Sequence, residues 1–87
     1  MLYDAFAKRL VHWQLEHNGV RQAIQISKKL VRRNELDEEA NMLLMHGFAA
    51  LKDRLALQLH YKQYEALLNQ ELNIQPSAEL AEWYGRL

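Results

Sequence analysis

The sequence predicts an all-α fold, and three observations carry that prediction. Leu, Ala, Glu, Lys, Gln and Arg dominate the 87 residues, and all are good helix formers. Punctuation is scarce: three glycines, one proline and no threonine, too few for the turns of a strand-rich chain. Apolar residues recur at three- and four-residue spacing along most of the chain, which is the period of an amphipathic helix.

Each element follows from local chemistry. A first helix is expected over residues 2–17, where Phe6, Leu10 and Trp13 keep the i, i+4, i+7 spacing of one face. Asn18-Gly19 ends it, because both residues tolerate the left-handed conformation of a helix C-terminus. A second helix over 20–33 turns Ala23, Ile26, Leu30 and Val31 inward and breaks near Asn34. Asp37 suits the N-cap of a third helix, and Glu38 and Glu39 suit its first turn, beside the positive end of the dipole. Ala40, Leu44, Phe48 and Leu51 make its stripe. The fourth helix runs to residue 72 with Leu57, Tyr61, Tyr64, Leu68 and Leu72 on one side. One continuous helix over 37–72 would be about 54 Å long, a poor shape for a small domain. The break is therefore placed at Lys52-Asp53, where Asp53 can cap. Pro76 lacks an N–H and disfavours helix at the residue before it. Ser77 then caps a short fifth helix with Leu80, Trp83 or Tyr84, and Leu87 on one face.

Composition bounds the function. A chain of this length makes one domain. It has no cysteine, so neither a disulfide framework nor a thiolate metal site exists. No apolar run is long enough to span a membrane, and the N-terminus lacks the continuous apolar stretch of a signal peptide; a cytoplasmic location is expected. The formal net charge is zero, unlike a strongly basic nucleic-acid binder. An enzyme is not expected: Ser27 falls on the inner face of the second helix, Ser77 serves as a cap, and no carboxylate pair stands in an apolar setting. His12 and His17, five residues apart, do not share a helical face, and no zinc-binding histidine motif occurs. No metal or cofactor is expected.

The helices also repeat. Leu10 and Leu44, His12 and His46, and Ala23 and Leu57 are each 34 residues apart, the period of the tetratricopeptide repeat. The second pair resembles that repeat, with Leu44 at its large apolar position, Phe48 and Tyr61 at aromatic positions, and Leu57 at a small-residue position. The first pair is looser: Ala23 fits, but Gln14 stands where an aromatic is usual and Glu35 where a proline is usual. Over the C-terminal two-thirds, the segments DEEANMLLMHGFAAL and QYEALLNQELNIQPSAEL resemble the bacterial transcriptional activation domain of antibiotic-regulatory (SARP-type) regulators. Asn73 and Lys52 stand where that family has glycines, and Gln75 where it has a glutamate. The resemblance implies a tetratricopeptide-like array of two antiparallel helix pairs, 2–33 and 37–72, with a capping helix over 77–87, all within one domain spanning 1–87. It implies a fragment of a larger regulator whose DNA-reading winged-helix domain lies upstream, outside this chain. It implies protein partners: the chain itself as a homodimer, that upstream domain, or the transcription machinery.

Three surfaces are candidates for function. Repeat position places Lys8, His12, Glu39, Met42, His46 and Ala49 along a concave groove. Leu2, Tyr3, Phe6 and Trp13 would form an apolar edge on the first helix with no full partner, and Gly47 would let helices approach closely. Arg21, Lys28, Lys29, Arg32 and Arg33 form a basic face on the second helix without an acid among them; partial pairing with Glu35, Asp37, Glu38 and Glu39 is expected. The main expectation is a protein-interaction domain of a bacterial transcriptional regulator. The alternatives are a free-standing peptide-binding adaptor and an auxiliary nucleic-acid contact through the basic helix.

Overall fold

In the computed structural model, residues 2–87 are described, with side chains from residue 4 onward. The chain forms five helices: α1 (Leu2–Glu16), α2 (Val20–Arg33), α3 (Glu38–Leu51), α4 (Arg54–Leu72) and α5 (Ala78–Gly85). The links between the first four are two to four residues long, so consecutive helices pack antiparallel.

The stops are built from the residues that local rules select. Asn18, Lys52 and Asn73 all take the left-handed conformation. At Lys52 its own N–H donates to the Ala49 carbonyl and the Asp53 N–H donates to Phe48, the paired bonds of a Schellman ending. Asp53 then caps α4 by accepting from the Ala56 N–H at 3.1 Å. One two-residue link thus ends α3 and starts α4. Lysine in this conformation costs about 1 kcal/mol or more relative to glycine, and the Asp53 cap offsets it. Asp37 caps α3 through the Ala40 N–H, and Ser77 caps α5 through the Leu80 N–H.

The core has two parts. Ala7 and Val11 of α1, Ala23 and Leu30 of α2, and Ala40 and Leu43 of α3 form the first. Met45 of α3, Leu57, Tyr61, Tyr64 and Leu68 of α4, and Leu80 of α5 form the second. Helix α3 packs against α1, α2 and α4. It is therefore buried almost all round, including Asn41 and Gly47, and the single stripe expected for it understates its burial. A Cβ added at Gly47 would lie 2.7 Å from Cγ1 of Ile24. The missing side chain lets α2 and α3 approach closely.

The structure corrects some of the expected faces. Phe6 and Trp13, expected at an apolar edge without a full partner, are 67% and 57% exposed. The buried line of α1 is Ala7 and Val11 with Leu15, roughly a third of a turn away. Small residues on that line let α1 sit close to its neighbours. Leu51, Leu72 and Leu87 are exposed: the first two are the last residues of α3 and α4, and Leu87 lies two residues beyond the end of α5. Trp83 and Tyr84 both pack against the second core. The Tyr84 ring stacks on Tyr61 at 3.9 Å, and Trp83 lies against His46 at 4.4 Å. Helix α5 therefore closes the open end of the array.

Two polar groups tie the layers together. The Asn41 amide nitrogen donates to the carbonyls of Glu35 and Asp37 at 3.1 and 2.8 Å. Its oxygen can only accept, so the proton in the 2.8 Å contact to His60 sits on His60 Nε2. One Glu38 carboxylate oxygen accepts from the Tyr64 hydroxyl at 3.3 Å and from the Ser77 N–H at 3.1 Å. Glu38 thus joins the start of α3 to α4 and to the cap of α5.

Candidate functional site

The face between α1 and α3 carries most of the groove residues. Lys8, in the second turn of α1, reaches Asp37 at 2.7 Å and Glu39 at 3.1 Å. The hydrogen bond to Asp37 raises the Lys8 pKa against the opposing effect of burial, with Glu39 adding to the rise. Burial pushes the Asp37 carboxyl up, but the bonds from Lys8 and the Ala40 N–H outweigh it and hold the pKa below its ordinary value. Lys8 is therefore spoken for, and it anchors α1 to the first turn of α3.

Beyond this pair lies a shallow depression of about 410 Å³ lined by His12, Glu39, Met42, Leu43, His46 and Glu79, among others. His12 is exposed at the rim and His46 is half-buried. Burial, then the charge of His12, pushes the His46 pKa down, with Glu79 opposing. His46 Nε2 is buried with no hydrogen-bond partner among the described residues. Ala49 lies outside this depression, in a separate cavity with Leu57 and Tyr84. Four of the six groove residues thus line the depression, Lys8 adjoins it through its pair with Glu39, and Glu79 of α5 joins them through the tertiary fold. The surface offers imidazole, thioether and leucine contacts and an acidic rim. Among the described residues it holds no nucleophile beside a base: the Ser27 hydroxyl is buried without a partner there, and Ser77 Oγ is engaged as a cap. Among the described residues no group of histidines and acids is arranged to hold a metal ion, and no helix is long and apolar enough to cross a membrane.

The other two surfaces lie on α1 and α2. Phe6 and Trp13 stand out from α1, and Trp13 stacks on His17 at 4.2 Å and 16°. The side chains of Leu2 and Tyr3 lie outside the described residues. On α2, Arg21, Lys28, Lys29, Arg32 and Arg33 are all exposed. Three of the four expected acidic partners are committed elsewhere, Asp37 and Glu39 to Lys8 and Glu38 to Tyr64 and Ser77, and Arg33 pairs instead with Asp4 at 3.0 Å.

The histidines make stability depend on pH. Burial lowers the His60 pKa as it does that of His46. In the unfolded chain these rings take up protons near their ordinary value of 6.5; in the fold they do so only at lower pH. Acid therefore favours the unfolded state, and stability is lost as pH falls from about 6.5 through the folded values. Asp37 loses its contribution at still lower pH, below its ordinary 3.8. The urea midpoint is expected to fall between pH 7.5 and pH 5. His60→Gln, which keeps an N–H donor for Asn41, should remove part of that decline. An unchanged midpoint over this range would show that the histidines carry no such linkage.

Two stacked helix pairs in a 34-residue register, closed by a capping helix, define a tetratricopeptide-like all-α domain. The profile of the bacterial transcriptional activator domain matches residues 4–87. The chain belongs to that family, a domain of transcriptional regulators rather than a family of enzymes. No curated protein and no solved structure matches the chain.

Proposed function

We propose that this chain is the protein-interaction domain of a bacterial transcriptional regulator, and that the outer face of α1 is its contact surface. The observation that supports this is the exposure of Phe6 and Trp13 on a helix whose other side enters the core. They are seven residues apart and so share a face. Burying each would add about 1.5–3 kcal/mol, and an apolar pair left in water marks a surface that awaits a partner. Trp13 is also held in place. His17 Nδ1 donates to the Trp13 carbonyl at 2.7 Å, and the two rings stack. A rigid aromatic loses little side-chain freedom on binding and makes a good anchor. The partner is a second copy, another domain of a longer regulator, such as one that reads DNA, or the transcription machinery.

The test has two parts. Light scattering on the chain over a wide concentration range distinguishes self-association from the rest. A dimer that Trp13→Ala dissociates assigns the face to a second copy. A monomer, together with Trp13→Ala weakening promoter activation by the intact regulator several-fold, assigns it to another domain or protein. Unimpaired activation by a monomeric, normally folded Trp13→Ala variant would overturn the reading.

A further inference from the structure

We propose that the outer face of α2 is a second contact surface, which lays the domain against the phosphate backbone of duplex DNA without reading its bases. It lies on a different helix from Phe6 and Trp13 and does not depend on them. The chain is neutral overall, but its charge is segregated. Residues 1–34 hold seven of the eleven cations against two acids, and residues 35–87 hold four against nine. The molecule is therefore strongly polar, and α2 carries most of its positive side.

The face itself is narrow and straight. At 100° per residue, Arg21, Gln25, Lys28 and Arg32 fall within about a sixth of a turn and span about 16 Å of helix. Lys29 and Gln22 flank them, and all six are exposed. Ala23, Ile24, Ser27 and Leu30 occupy the opposite side, in the core. Among the described residues, Arg21, Lys28, Lys29 and Arg32 make no ion pair. Three cations in this rigid row, with Lys29 beside it, would face about nine duplex phosphates over the same 16 Å.

The chemistry favours a nucleic-acid backbone over an acidic protein. Protein interfaces are built around a desolvated apolar or aromatic anchor, and the exposed residues of α2 include none. Base readout by stacking also needs an aromatic, so the contact is with phosphate. Membership of a family of transcriptional regulators supplies a setting in which DNA is at hand.

Binding of the chain to a short fluorescent duplex of arbitrary sequence, followed by anisotropy, tests this. Three to four phosphate contacts predict an affinity that falls roughly 40- to 150-fold between 50 and 200 mM salt, with a second, unrelated sequence bound equally well. Replacing Lys28 and Arg32 together by Ala should leave the melting temperature nearly unchanged and reduce the slope of log K against log salt by about two. Trp13→Ala should leave that slope unchanged, so a failure of the α1 reading does not disturb this one. Three results would overturn the proposal: no binding at 50 mM salt, the Lys28→Ala/Arg32→Ala variant binding like the parent, or polyglutamate displacing the duplex equally well per charge. The last would assign the face to an acidic protein.

Discussion

Leu80→Ala is expected to lower the unfolding free energy by about 3 kcal/mol. Leu80 is completely buried in the second core, between Met45 of α3 and the α4 residues Leu57, Tyr61, Tyr64 and Leu68. Truncation loses its transfer energy and leaves a cavity that an eight-residue helix has little means to close. Domains of this size have a total stability of about 4–13 kcal/mol, so the loss is a large fraction. The two tryptophans make the outcome readable. Trp83 reports on α5 and Trp13 on α1. If α5 detaches before the rest, the Trp83 signal moves at lower urea than the helical circular dichroism. If the domain unfolds as one unit, the two transitions coincide at a lower midpoint. A loss below about 1 kcal/mol would mean that α5 is not a stabilising cap.

Asn41→Leu is expected to cost a similar amount, about 3 kcal/mol, although it places a larger apolar side chain in a buried position. The reason is satisfaction of partners. Asn41 serves the Glu35 and Asp37 carbonyls and the His60 N–H. Leucine takes the partner from the Glu35 carbonyl and the His60 N–H, while the Asp37 carbonyl keeps the Asn41 backbone N–H; a part-buried polar group without a partner costs about 1–3 kcal/mol. A double-mutant cycle isolates the pair. His60→Ala in the Asn41→Leu background should cost less than His60→Ala alone, because the N–H left unpaired is removed. Additive losses would show that Asn41 and His60 are not coupled.

These two residues show where local reading succeeds and where it stops. Leu80 was legible as part of the closing helix. Pro76 precludes a helix at Gln75, Ser77 restarts it, and the apolar spacing follows within one turn. The break at Lys52-Asp53 and the left-handed Asn18 were legible from neighbouring residues too. Asn41 was not. Its neighbours mark it only as a polar residue in a helix, and its partner His60 is nineteen positions away on α4. Glu38 suits a first helical turn, but its bonds to Tyr64 and Ser77 span 26 and 39 positions. The α1 face is an intermediate case. It has two apolar lines, Phe6 with Trp13 and Ala7 with Val11, and periodicity does not say which is covered. Residue size at the covered line does, once α2 and α3 are in place.

The candidate surfaces divide in the same way. The basic face of α2 needed only helical geometry and the order of charges along one helix. The groove needed more. Repeat position brought Lys8, His12, Glu39, Met42 and His46 together, but Glu79 and Trp83 reach it from α5 across a proline turn, and Ala49 faces elsewhere. Helices, caps and breaks follow from the sequence because each depends on residues within a turn or two, where backbone hydrogen bonds and side-chain caps act. Which faces are buried, which acid answers which base and which imidazole has its pKa lowered by burial follow from packing between distant segments. Those choices depend on shapes and charges that meet only when all five helices are assembled.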